Sequence, residues 1–81
     1  MKNTYLSLNT LPIGSKCKVL SLTTSGGERR RMLDLGIISG TTIEALQKSP
    51  SGDPIAYAIR GAVIALREED AQKIIVEALS N

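Results

Sequence analysis

Histidine is absent from this 81-residue sequence, and cysteine occurs once, at Cys17. A Cys/His zinc site, a Cys-His dyad, a Ser-His-Asp triad and an internal disulfide are therefore excluded, and with them most common enzyme chemistry. Tryptophan and phenylalanine are missing too, leaving Tyr5 and Tyr57 as the whole aromatic inventory. Two tyrosines do not make a platform for stacking bases or the walls of a polyproline groove. Ten basic against eight acidic residues give a net charge of +2, too little to neutralise the row of phosphates on which nucleic-acid affinity rests. The longest unbroken apolar runs, Ile55 to Ile59 and Ala62 to Leu66, fall far short of the roughly 20 residues that span a bilayer. The opening Met-Lys-Asn-Thr-Tyr-Leu-Ser-Leu lacks the apolar stretch of a signal peptide. A soluble intracellular chain is expected, with no nucleic-acid partner and no membrane insertion. Cys17 fits a reducing cytosol and reads as a small, half-buried strand residue, because no base stands near to activate it.

What is present is the make-up of one small domain covering residues 1–81. Apolar residues make up 42% and charged residues 22%, with seven Gly and three Pro, which is the balance of a folded chain rather than a disordered one. A chain this size buries roughly 60% of its unfolded surface, enough for one core.

Hydrophobic spacing divides the chain into short strands and brief helices. A turn at Pro12-Ile13-Gly14-Ser15 precedes a strand over Cys17–Leu22, where apolar residues alternate. Ser25-Gly26-Gly27-Glu28 has the form of a capping box, with the Ser25 oxygen accepting a first-turn amide and Glu28 reaching back to the Ser25 N–H. A helix follows to about Leu35, and Gly36 is placed to close it in a left-handed conformation. After a second turn at Ser39-Gly40, Thr41–Leu46 reads as a strand, and Ser49–Pro54 as a surface loop dense in turn formers. Ile55–Ile59 and Ala62–Leu66 flank Arg60-Gly61 and form a tight hairpin. The last segment reads as a short helix from Glu68 running into a short strand near Ile74–Glu77. Short strands with Gly and Pro turns in so small a chain favour a mainly β, partly open barrel with one inserted helix and a short C-terminal helical segment.

Two clusters invite chemistry and do not support it. Glu68, Glu69 and Asp70 are adjacent, so their side chains diverge, whereas a hard cation needs about six converging oxygens; they read as a solvated first turn complementing the helix dipole. Ser25-Gly26-Gly27 is followed by Glu28 and Arg29 rather than Gly-Lys-Ser/Thr, and is not a phosphate loop. The informative cluster is Arg29-Arg30-Arg31. Three successive helical residues sweep about 200°, so one guanidinium must lie beside the face that Met32, Leu33 and Leu35 turn to the core. Asp34 is spaced to pair with Arg30, and the Arg31 stem to lie across apolar surface. A solvated helix face and a partner-docking patch made of Arg29, Arg30, Arg31 and Asp34 both fit, the second because arginine is enriched at interfaces.

The ordered set Leu11-Pro12-x-Gly14, Arg30-Arg31-Met32-Leu33-Asp34-Leu35-Gly36-Ile37, Ser39-Gly40, Gly52-Asp53-Pro54-Ile55, Arg60-Gly61 and Ala65-Leu66-Arg67 with Ala71 downstream resembles the FeoA family of ferrous iron transport accessory proteins. The resemblance runs from about Leu8 to Val76, with Met32 where the family usually has leucine. It implies an SH3-like barrel with a helical insertion, in the bacterial cytosol. It also implies a role beside a FeoB-type membrane transporter with a cytosolic GTPase domain, which would recruit the protein to the inner face of the membrane. A similar barrel forms the C-terminal domain of iron-dependent repressors. The residues agree with a binding module that has no catalytic group, cofactor or metal-ligand set. A detached repressor-type domain and a small RNA-associated barrel are the other readings: the start Met and single-domain length weigh against the first, low charge and missing aromatics against the second. Oligomeric state is left open.

Overall fold

Alternation of burial along Lys16–Leu22 shows how the sheet forms: Lys16 and Lys18 point outward while Cys17 and Val19 are buried, the two-residue period of a strand with one face on a core. The structure, a computed structural model, describes residues 5–79. Among the described residues there are six strands: β1 (Tyr5–Ser7), β2 (Lys16–Leu22), β3 (Thr42–Lys48), β4 (Ile55–Ile59), β5 (Ala62–Leu66) and β6 (Ile74–Ala78). A 3-10 turn at Leu8–Thr10 follows β1, helix α1 (Gly26–Asp34) joins β2 to β3, and the single-turn helix α2 (Glu68–Ala71) joins β5 to β6. The strands form one antiparallel sheet in the order β1-β6-β2-β3-β4-β5. β1 and β5 end the sheet without pairing to each other, so the barrel stays partly open, as the sequence predicts.

Two register shifts curl the sheet. One falls between Val19 and Ser21 of β2, the other between Ala45 and Gln47 of β3, and an extra residue in one strand bends it and raises its twist. Cys17, Val19, Ile43, Tyr57, Ile59, Ile74 and Val76 then meet inside. The 3-10 turn places Leu8 in this core, and the Tyr57 hydroxyl donates to the Leu8 carbonyl at 3.4 Å, giving the buried phenol a partner.

The hairpin forms as expected on Arg60-Gly61, with φ of 51° and 82° at the two turn residues, the sign a two-residue turn needs to match strand twist. Three expectations are corrected. β1 is a strand where none was expected; three residues are too few to carry a period. Cys17 is fully rather than half buried. Ser25 is the N-cap of α1 but makes no side-chain capping bond: the capping box does not form, because Glu28 turns away to Thr24 and Lys73.

Candidate interaction site

Helix α1 ends on a complete Schellman motif. Ile37 N–H donates to the Met32 carbonyl at 3.0 Å and Gly36 N–H to the Leu33 carbonyl at 2.9 Å, with Gly36 at φ 91° and Met32 and Ile37 packed together in the core. Gly14, Gly40 and Gly61 also lie in turns at positive φ, 92°, 94° and 82°. Gly36 carries a second constraint, since a Cβ built there would overlap Cδ of Arg60. The hairpin turn of β4–β5 thus lays an arginine across the end of α1.

The three arginines diverge as helical geometry requires. Arg29 and Arg30 are exposed, and neither has an ion-pair partner among the described residues. Arg31 leans the other way, its Nη2 donating to Asp70 Oδ2 at 3.2 Å while its side chain stays 64% exposed. Asp34 is exposed and does not pair with Arg30; two flexible side chains on a solvated face gain little from contact. Leu33 is also corrected: it was expected on the core face with Met32 and Leu35 and instead stands 39% exposed. One turn beyond Arg29, it lines a cavity of about 190 Å³ with Leu20, Leu22, Ile37 and Ile38. Ile38 is itself 41% exposed. An apolar centre with arginine at its rim is the composition of an interface.

On its opposite flank, α1 is tied down by charge. Lys73 Nζ bonds both Glu28 carboxylate oxygens at 3.0 Å, and Thr24 Oγ1 donates to Glu28 Oε1 at 2.6 Å. The Thr24 bond, then Lys73, holds the Glu28 carboxyl below its usual 4.5. Glu68 and Glu69 are exposed as expected, and Asp70 is not. Asp70 has a side chain only 13% exposed against Arg31, and the Glu68 N–H is capped from a distant loop by Asp53 Oδ1 at 2.9 Å. Asp53, Arg60 and Lys73 escaped the sequence reading because their partners lie far along the chain. The one available signal was Arg60 ahead of Gly61, where such turns ordinarily carry Asn or Asp. No group of three His, Cys, Asp or Glu side chains converges among the described residues. Burial raises the Cys17 thiol from 9.0 to about 11 and the Tyr57 phenol from 10.0 to about 12.

Comparison with known proteins gives this surface its context. Residues 6–78 match the sequence model of the FeoA domain. A fusion protein of Fe(2+) transport protein A and the Fe(2+) transporter FeoB from Porphyromonas gingivalis is 36% identical over 76 residues. That match takes in 94% of this chain, which spans only 9% of the fusion. Among solved structures, a FeoA-like protein from Clostridium acetobutylicum superposes with a TM-score of 0.88 at 40% identity, covering 100% of this chain and 93% of that one. FeoA of Stenotrophomonas maltophilia, solved with zinc and described as a procaryotic SH3 domain protein, superposes at 0.80 with 25% identity over 89% of each chain. A manganese-dependent transcriptional repressor shares the fold alone, at a TM-score of 0.83 and 21% identity over 98% of this chain and 44% of that one.

Proposed function

Because the chain belongs to the FeoA family and has its SH3-like fold, with a role in ferrous iron transport, we propose that it is a cytoplasmic accessory module of a FeoB-type transporter. It acts by binding the transporter's cytosolic part, the GTPase domain included, and not by catalysis. The observation that carries this reading is the Porphyromonas gingivalis relative, in which Fe(2+) transport protein A and FeoB share one polypeptide; fusion keeps two cooperating domains at high effective concentration. Among the described residues no helix is long and apolar enough to cross a membrane, which fits recruitment to the inner face of the membrane by a partner. Ferrous iron is the transporter's cargo in this scheme. The likeness to the repressor extends to the fold and supports the regulatory-domain reading no further.

The docking face is the outer side of α1. Arg29 and Arg30 are exposed without ion-pair partners among the described residues, and Leu33 and Ile38 supply exposed apolar surface beside them. Such an arrangement suits an acidic partner surface with an apolar centre, since buried arginine and aliphatic anchors dominate interface energies. Asp34 sits at the rim, and Arg31 contributes from the flank while held by Asp70. The test is capture of a detergent-solubilised FeoB-type transporter from the source cell on the tagged chain. Replacing Arg29 and Arg30 with alanine is expected to weaken capture by about 2 kcal/mol, roughly thirtyfold, with an unchanged melting temperature. Unaltered capture by the folded double variant would place the interface elsewhere, first at the Ser49–Pro54 loop.

A further inference from the structure

The cleft on the other flank of α1 has the shape of a slot for an extended chain. A stripe of the helix and its cap, Glu28, Arg31 and Leu35, faces three consecutive β5 residues, Ile64, Ala65 and Leu66, across a volume of about 720 Å³. Successive side chains of a strand point to opposite faces, so consecutive residues line one cleft only where the strand presents its edge. β5 is the last strand of the sheet and pairs with β4 alone. Its two-residue turn sets Ile59 opposite Ala62. Antiparallel alternation from that closing pair directs the N–H and C=O groups of Ala62, Ile64 and Leu66 toward β4, and those of Val63 and Ala65 outward. Val63 and Ala65 make no backbone bond to a loop or turn among the described residues. The five residues Ala62–Leu66 include no charge and no proline, and their pairing has no bulge; those are the devices that ordinarily protect an exposed edge.

We propose that this slot takes an extended segment of a partner protein as an added antiparallel strand on β5, with α1 as its far wall. Charge selects the occupant. Where β5 runs into α2, the carboxylates of Glu28, Glu68, Glu69 and Asp70 outnumber the cations Arg31, Arg67 and Lys73. At the other end Arg60 is exposed without an ion-pair partner among the described residues. An antiparallel strand brings its own N-terminal end to the acidic side and its C-terminal end to Arg60. The segment that fits has a basic residue, then an uncharged β-branched centre, then an acidic residue. Its main-chain bonds go to Val63 and Ala65, and Val63, 70% exposed, packs beside its side chains. The slot lies across α1 from Arg29 and Leu33 and shares only Arg31 with the docking face proposed above, so the Arg29 and Arg30 substitutions and the peptide titration test the two surfaces separately.

The experiment titrates the full ¹⁵N-labelled chain with three acetylated and amidated peptides: Lys-Thr-Val-Thr-Val-Glu, its charge-reversed form Glu-Thr-Val-Thr-Val-Lys, and the first peptide N-methylated at the residues that would donate to β5. The first peptide is expected to shift the Val63 and Ala65 amide resonances and slow their hydrogen exchange. The charge-reversed and N-methylated peptides are expected to bind roughly tenfold more weakly, as is the first peptide to Ala65→Pro, which removes one outward N–H where an edge strand tolerates proline. Equal affinity for the N-methylated peptide, shifts confined to the Leu20–Leu33 side, or no change at Val63 and Ala65 in millimolar peptide would overturn the proposal. The peptide comparison holds whether or not the proline variant folds.

Discussion

Gly36 is where backbone and side-chain constraints meet. Its φ of 91° excludes a β-branched residue, and the Arg60 side chain occupies the space a Cβ would need. Gly36→Val is expected to cost about 2 kcal/mol or more, read as a lowered urea midpoint. Gly36→Ala isolates the two contributions: in an Arg60→Ala background its cost should shrink but not vanish, because removing the arginine clears the space and leaves the left-handed conformation. Equal costs in both backgrounds would show that the arginine stem yields freely. Arg60 itself sits at φ 51°, a region a long side chain occupies only with support from its surroundings, and packing across the end of α1 supplies that support.

The two helices are capped by different means, and the difference is measurable. Ser25 stands at the N-cap of α1 without a side-chain bond, while Asp53 accepts the Glu68 N–H of α2 from a loop fifteen residues away. Asp53→Ala is therefore expected to destabilise by about 1 kcal/mol, Asp53→Asn by less, and Ser25→Ala by a few tenths at most, all by denaturant unfolding. Helix α1 has little apolar hold on the sheet beyond Met32, and the Glu28–Lys73 and Arg31–Asp70 pairs fasten its inner flank. The Glu28 pKa is depressed by the Thr24 bond and then by Lys73, so the Glu28 contribution is present above the usual value of 4.5 and is lost as pH falls through the folded-state value. The melting-temperature difference between wild type and Glu28→Gln should accordingly be visible at neutral pH and close on acidification. A difference that persists in acid would assign the effect to something other than charge.

At the scale of the whole molecule, one core holds two acidic protons that the unfolded chain gives up more easily. Cys17 moves from 9.0 to about 11 and Tyr57 from 10.0 to about 12, in both cases chiefly through burial. The folded state keeps these protons where the unfolded state sheds them, so stability falls as pH rises past 9.0 and again past 10.0. For the thiol the displacement corresponds to roughly 2 to 3 kcal/mol, or about 10 °C or more of melting temperature in a domain of this size. Between pH 8 and 11, Cys17→Ala should lose less of its melting temperature than wild type does. The same burial leaves native Cys17 unreactive to iodoacetamide at pH 8, with alkylation proceeding only at the rate of unfolding. Rapid labelling of the folded protein would contradict a fully buried thiol.

Local signals sufficed for strand segments, tight turns and the glycine that ends a helix, though not for the Ser25–Glu28 capping box or the Arg30–Asp34 pair, which do not form. Alternation located β2, two unbroken apolar runs about Arg60-Gly61 located β4 and β5, and the Leu35-Gly36 junction marked the end of α1, because strand period, a tight turn and left-handed glycine are properties of a few consecutive residues. The missing histidine and single cysteine ruled out most catalytic sites by inventory alone, and the ordered run from Leu11 to Ala71 was enough to indicate the family. Pairings between distant residues were not legible. Glu28 has Thr24 four residues away and Lys73 forty-five residues away, and the barrel brings the lysine close enough to draw the carboxylate from the cap. Leu33 fits the core face by helical period, yet the sheet behind α1 has room for Met32 and leaves Leu33 at the surface beside Ile38. The open edge of β5 and the position of α1 beside it arise only when six strands take their order, because which strand is left without a neighbour is a property of the assembled sheet and not of any segment in it.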